Sequence, residues 1–302
     1  MGTVHAAAYA GIAEATVVGV FSRDPARARS AAAICKAEPF DDCAALIAAA
    51  DAIDVCLPSA IHHTFVVPAL NAGKHVFCET PLALELDEAR QMRDAARRAD
   101  RLLQVGLLMR SLSAHEHIKT VASSSMHGRL LSVAAWRLGS YLHPHAPDHK
   151  AHYGDPSTEL MTFDFDFIQW LMGPPSRLSA SAARSPQGAA GDPDGRHATV
   201  IASGMMPPGF PFSAGFRALF ERASFDHRAV FESDGPPKST FTIFGDRAQG
   251  APVPVAPRNP YQFELQRFVD CINGRADPAL LDVERAIEAL MLSVATQRAL
   301  AG

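Results

Sequence analysis

Between residues 1 and about 110, short apolar runs alternate with alanine- and arginine-rich stretches, and this alternation constrains the fold more than any other feature. The runs Thr16-Val17-Val18-Gly19-Val20-Phe21, Ile53-Asp54-Val55-Cys56-Leu57, His75-Val76-Phe77-Cys78 and Leu102-Leu103-Gln104-Val105-Gly106-Leu107 have the length and composition of buried strands. Helix signals lie between them. Asp24 can accept hydrogen bonds from the free N–H groups of a first turn, and Pro25 suits the first helical position, so a helix is expected to about Cys35. Asp41 or Asp42 caps a second helix through Ala50. Pro58-Ser59 ends a strand and opens a helix to Asn71, with Gly73 as its stop. A turn at Pro81 precedes a helix over about 86–98. Strands separated by helices are joined by crossovers rather than hairpins, which predicts βαβ units and a parallel sheet.

From residue 130 the texture changes. Leu130–Arg137, Leu178–Ala183, Ala198–Ser203, Phe212–Phe220, His227–Glu232 and Ser239–Phe244 read as strands, and Asp164–Met172 as a helix among them. The segments SPQGAAGDPDG (185–195) and MMPPGFP (205–211) are expected to be loops by composition. From Tyr261 to Gly302 the pattern is helical again. The expected fold class is therefore α/β plus α+β: a parallel-sheet domain over 1–110, and an open, mainly antiparallel sheet domain over 111–302 whose closing helices pack back toward the first.

Charge and cysteine usage narrow the function. With 28 basic against 32 acidic residues the net charge is −4, so no basic excess points to nucleic acid or an anionic membrane. No uninterrupted apolar stretch is long enough to span a bilayer, and MGTVHAAAYAGIAEA lacks the basic and apolar regions of a secretory signal. The five cysteines (Cys35, Cys43, Cys56, Cys78, Cys271) are scattered and form no CxxC, as expected of free thiols in a cytoplasmic protein.

Several segments, in order along the chain, carry a family resemblance. Met1-Gly2-Thr3-Val4-His5-Ala6 looks like the end of a dinucleotide-binding phosphate loop, with Gly2 as its third glycine. Leu57-Pro58-Ser59-Ala60-Ile61-His62 resembles a P-x-x-x-H segment, and Ala72-Gly73-Lys74-His75-Val76-Phe77-Cys78-Glu79-Thr80-Pro81-Leu82-Ala83 an AGKHVxxEKPLA segment. Val105-Gly106 with Arg110, His127-Gly128-Arg129-Leu130-Leu131-Ser132-Val133, Trp170-Leu171-Met172-Gly173, Tyr261–Cys271 and Asp282–Leu300 complete the series. Together they resemble the glucose–fructose oxidoreductase, inositol dehydrogenase and MocA (Gfo/Idh/MocA) family. The resemblance implies a Rossmann-like first domain, here without its first strand and first two glycines, and a nicotinamide cofactor. Met1 is accordingly read as an internal methionine or a trimmed start.

The resemblance also implies site residues. Gly2, Thr3 and Val4 would meet the pyrophosphate. Ser22 and Arg23, where an acid would favour NAD, leave room and charge for a 2′-phosphate, so NADP is favoured over NAD. Leu57, Pro58, Ser59, His62, Glu79, Thr80 and Arg110 would line the nicotinamide side; helix entry, capping or surface roles are the alternatives. Two positions depart from the family. Thr80 stands where it has a lysine that relays a proton. Phe163 stands where the pattern D-x-x-x-H-x-x-D, here Glu159 to Asp166, has histidine.

The surviving proton-handling candidates are Glu159, set among Leu160, Met161, Phe163 and Phe165, then Thr80, and His149 of the histidine-rich run His143–His152 or Tyr153 just after it. That run is expected to serve substrate contact or to be solvated rather than to bind metal, and no metal site is expected. Three readings stay open: an oxidoreductase on a small polyol, sugar or cyclic hydroxy or keto compound with a rearranged proton relay; a nucleotide- or sugar-binding protein with decayed catalysis; and a chain that binds no dinucleotide. A homo-dimer or homo-tetramer through the second-domain sheet is expected.

Overall fold

The computed structural model describes residues 1–301 except 141–154, 183–185, 192–195, 233–236 and 246–247. The chain opens on helix α1 (Gly2–Tyr9), followed by β1 (Gly19–Phe21), α2 (Pro25–Cys35), β2 (Glu38–Phe40), α3 (Cys43–Ala49), β3 (Ala52–Val55), α4 (His62–Asn71), β4 (His75–Cys78), α5 (Leu86–Ala99) and β5 (Leu103–Val105). The helix starts have the expected chemistry. Asp24 Oδ1 accepts from the Ala26 amide at 2.9 Å, and Asp42, not Asp41, caps α3 through the Ala44 and Ala45 amides. Gly73 stops α4 at φ +76°, in the left-handed region that glycine adopts without penalty. On α5, Ala89, Met92, Ala95 and Ala96 form the buried stripe.

All strand pairs in this part are parallel, as the alternation predicts, but they form two separate sheets. One is β1–β2; the other has the order β3–β4–β5. The usual order of such a sheet places its first strand between these two pieces. One expectation needs correction. The apolar run from Thr16 yields a strand only over Gly19–Phe21, the part that meets β2, and Val18 is exposed. Glu38–Phe40 pairs with β1 despite Pro39, which an edge strand tolerates because its second side makes no ladder.

The next stretch contains α6 (Ser113–Ser124), β6 (Leu130–Leu138), α7 (Pro156–Glu159), α8 (Met161–Met172), β7 (Arg177–Ala182), β8 (Pro186–Gly191), β9 (His197–Ser203), β10 (Phe212–Phe220), β11 (Ala223–Phe231), β12 (Lys238–Gly245) and β13 (Ala248–Pro252). Its strands form one eight-stranded sheet, order β13–β12–β11–β10–β6–β9–β8–β7, antiparallel except for the β6–β9 pair. The segment 185–195, expected as a loop, contains β8. Its small residues are poor strand formers alone, but ladders on both sides, to β7 and β9, satisfy its backbone. The MMPPGFP segment carries no strand, as expected.

Helices α9 (Pro260–Ile272) and α10 (Val283–Ala301) close the chain. Two compact units result: Met1–Ser111 with Arg258–Ile287, and Leu112–Pro257 with Glu288–Gly302. Among the described residues no helix is long and apolar enough to cross a membrane.

The second unit is organised by a cross-strand row. Val200, Ala135, Phe216, His227 and Phe241 are direct register partners on one face, and all are buried. Phe167 of α8 and His115 of α6 pack on this row, with ring centroids 4.5 Å apart. On the opposite face Trp136 covers Gly215, where a Cβ would strike the ring and the His227 carbonyl; the glycine admits the indole.

His115 and His227 lie 5.6 Å apart in this aromatic core, and neither Nδ1 has a hydrogen-bond partner. Burial pushes both imidazoles down. His227, with Asp226 pulling the other way, falls to about 4; His115 is also pushed well below its usual value, helped by His227 and Arg137. Both rings are thus neutral in the folded chain, whereas the unfolded chain protonates them near pH 6.5. Stability is intact above that pH and declines as pH falls from it through about 4. Each ring contributes up to about 1.4 kcal/mol per pH unit across that window. Urea unfolding at stepped pH should show this decline, flattened in the His227→Phe variant; identical slopes would remove these histidines as its source.

Candidate active site

The ends of β3, β4 and β5 lie side by side, and the chain beyond each continues the ladder. The Glu79 amide donates to Val55 O at 3.1 Å, and the Gly106 amide to Cys78 O at 2.9 Å. This edge, at the carboxyl ends of parallel strands, is where open α/β sheets bind ligands. It carries Leu57, Pro58 and Ser59 after β3, and Glu79 and Thr80 after β4. Side chains lace it together. The Thr80 hydroxyl donates to Gly106 O at 2.8 Å, and Glu79 Oε2 accepts from the Thr80 amide at 3.1 Å. His62 is buried with Nε2 2.7 Å from Leu57 O and Nδ1 3.1 Å from Leu82 O, so its ring ties the β3 exit to the segment after Pro81.

The other expected residues fall as follows. Gly2, Thr3 and Val4 are exposed in the first turn of α1, which has no side-chain cap and no acidic residue. Ser22 and Arg23 follow β1; the Ser22 hydroxyl accepts from the Asp24 amide, and Arg23 is exposed. Arg110 is buried, with Nη1 3.2 Å from Leu280 O in the same unit. In the second unit Glu159 is buried at the end of α7, a turn capped by Asp155. Phe163 lies against the Arg137 guanidinium, 4.8 Å from its centre. Arg137 forms a bidentate pair with Asp164 at 2.9 and 3.1 Å, in which burial pushes the Asp164 carboxyl up against the pull of Arg137. His143, His145, His149, His152 and Tyr153 lie outside the described residues.

The geometry also brings together residues that sequence reasoning passed over. His5 of α1 is buried between three acids. Its Nδ1 lies 2.8 Å from Asp54 Oδ2 on β3 and 3.2 Å from Cys56 Sγ. Its Nε2 approaches Glu79 Oε1 at 2.7 Å, off the N–H line, as an ion pair rather than an aligned hydrogen bond. Glu264 of α9 completes the group: its side chain is fully buried, and neither carboxyl oxygen has a hydrogen-bond partner. Burial alone would lower the His5 pKa, but Asp54, with Cys56 and Glu79, outweighs it and holds the ring as imidazolium. Burial, with Glu79 and Asp54 nearby, pushes the Glu264 carboxyl well up against the pull of His5. Burial and Asp54 push the Cys56 thiol to about 12. The signal in the sequence was an acid inside an apolar strand, Ile53-Asp54-Val55, and another on the apolar stripe of α9 beside Leu265 and Phe268.

A parallel-sheet unit with ligand-facing strand ends, joined to an open antiparallel-sheet unit, defines a class of nucleotide-dependent oxidoreductases. The comparisons agree. Residues 1–107 match the model of the oxidoreductase family with NAD-binding Rossmann fold. The 1,5-anhydro-D-fructose reductase of Ensifer adhaerens is 26% identical over 244 residues, covering 76% of this chain and 71% of that protein. An inositol 2-dehydrogenase of Cereibacter sphaeroides is 32% identical over 163 residues, covering 53% and 46%. A levoglucosan dehydrogenase, solved with NADH and levoglucosan, superposes with a TM-score of 0.79 over 100% of this chain and 94% of that one, at 19% identity. Residues 1–107 are thus matched to the Gfo/Idh/MocA oxidoreductases, and the relatives named above extend the similarity beyond that segment.

Proposed function

We propose that the chain is an NAD(P)-dependent dehydrogenase or reductase acting on a CH–OH group of a small sugar, polyol or cyclic hydroxy or keto compound. The observation that carries this reading is the row of strand ends bearing Leu57, Pro58, Ser59, Glu79 and Thr80 within the segment that matches the NAD-binding family. The residues present fit the cofactor. The exposed first turn of α1 at Gly2, Thr3 and Val4, which has no side-chain cap, suits a pyrophosphate, since the amides of a helix start and the helix dipole both favour an anion. Exposed Arg23, beside Ser22, suits a ribose 2′-phosphate, and NADP is the preferred form. His62 and Arg110 hold the strand ends in place, and Glu79 and Thr80 border the nicotinamide side.

When bound, the nicotinamide supplies or accepts the hydride. The chain must handle the proton. The Thr80 hydroxyl spends its own proton on Gly106 O and can offer only acceptor capacity elsewhere. Phe163 carries no proton. Glu159 therefore takes or returns the hydroxyl proton at its carboxylate, with His149 and Tyr153 as further candidates. A second reading, cofactor or sugar binding without turnover, is favoured by the same two positions, because both side chains already have structural partners. The scattered free thiols support a cytoplasmic location.

Oxidation of a panel of sugars and polyols, followed by nicotinamide absorbance with NAD⁺ and NADP⁺, separates the two readings: turnover on no member supports the second. On an active substrate, Glu159→Gln should lower kcat by about 100-fold or more, with the Kd for NADPH unchanged. Unchanged turnover removes Glu159 from the relay. Arg23→Ala should weaken NADPH by about tenfold and leave NADH alone, as a lost charge-assisted contact would; equal effects on both would sink the assignment. The eight-stranded sheet of the second unit leaves Ile201, Leu219 and Phe244 exposed, which supports a homo-dimer or homo-tetramer through that sheet. Light scattering should show an oligomer that Leu219→Lys dissociates, and a monomeric wild type would refute it.

A further inference from the structure

The group around His5, in which only Glu79 also borders the proposed nicotinamide side, has the composition of a metal site. His5, Glu79 and Glu264 each offer one ligand atom, and these atoms lie within 4.8 Å of one another. They come from three elements: α1, the exit of β4, and α9. All three residues are buried. Both Glu264 oxygens lack a hydrogen-bond partner, as does Nε2 of His5 in aligned geometry. Buried carboxylates are seldom left in this state, and a missing ion or water is the usual reason.

The surroundings of His5 carry the argument further. A metal-binding histidine normally donates its other ring N–H to a carboxylate, which fixes the tautomer and raises the basicity of the ligating nitrogen. His5 makes this contact: Nδ1 faces Asp54 Oδ2 at 2.8 Å, while Nε2 faces the two glutamates. We propose that His5 Nε2, Glu79 and Glu264 bind one divalent first-row transition-metal ion, which takes the place of the proton on Nε2 and releases it to solvent, with Asp54 orienting the imidazole from behind. One imidazole and two carboxylates suit Zn²⁺ or Mn²⁺. Cys56 lies on the Nδ1 side of the ring, beside Asp54, and is not a ligand. The 2.7 Å approach of Nε2 to Glu79 Oε1 would open by several tenths of an ångström, because donors about 2.1 Å from a shared tetrahedral ion stand about 3.4 Å apart. Such an ion would clamp α1 and α9 to the exit of β4.

The test uses the full chain, stripped with chelator and dialysed. Calorimetric titration with ZnCl₂ and with MnCl₂, with elemental analysis of the dialysed product, should give one equivalent bound, while MgCl₂ binds at least tenfold more weakly. Glu264→Gln, close to isosteric, should weaken Zn²⁺ at least tenfold, with far-ultraviolet circular dichroism confirming that the variant is folded. Cys56→Ser and the double variant His143→Ala/His145→Ala should bind as the wild type does. X-ray absorption of the Zn²⁺ form should show a nitrogen and oxygen shell with one imidazole and no sulfur. Any of three results would overturn the proposal: no stoichiometric binding, which leaves water as the filler of the site; binding unaffected by Glu264→Gln; or sulfur in the shell. If Glu264→Gln is unfolded, the absorption spectrum decides alone. Activity enters none of these readouts, so the proposal stands or falls apart from the proposed reaction.

Discussion

A buried charge has to be compensated locally, and in the first unit that requirement falls on His5. Moving an ion out of water costs several kcal/mol unless partners surround it. Here the partners come from separate segments: Asp54 on β3, Glu79 after β4, and Glu264 on α9. The charge therefore selects one relative placement of α1, the sheet and α9. Its influence reaches the ligand-facing edge through Glu79. One Glu79 oxygen faces His5 and the other holds the Thr80 amide, so the inward pull on a single carboxylate also positions the next residue on that edge.

Much of that edge was legible in the sequence because its determinants are local. Asp24 and Asp42 sit next to the amides they cap, and Gly73 supplies the backbone conformation that ends α4. Pro58 and Glu79 follow apolar runs that could only be strands. The His5 group was not legible in the same way. His5 and Asp54 are 49 positions apart, and nothing in the immediate surroundings of either residue names the other. An acid within an apolar run was the trace each partner left. It identifies a residue that needs compensation without identifying what compensates it.

The strands follow the same division. Phe212–Phe220 carries its own β-type composition and was found at its full extent. Pro186–Gly191 and Glu38–Phe40 have almost none, and they are strands because a neighbouring backbone offers a ladder. Thr16–Val18 gives the converse: strand-forming residues beyond the three-residue register with β2 stay outside β1. In both directions the availability of a partner edge overrode intrinsic preference, which is the ordinary behaviour of β structure.

The two departures from the family pattern can be understood on the same terms. A lysine after Glu79 would bring a second cation close to the His5 charge. Threonine there adds no charge and instead ties β4 to β5 through Gly106. Phenylalanine at 163 sets an aromatic face against Arg137, whose charge is already matched by Asp164, so the buried pair gains a neighbour that demands no proton. Both side chains make contacts within their own units. A reaction that still moves a proton must use a side chain that can exchange one. The Glu159 carboxyl, four residues before Phe163 and buried at the end of a short turn, is a group of that kind, whereas phenylalanine is not and the Thr80 hydroxyl donates to Gly106 O.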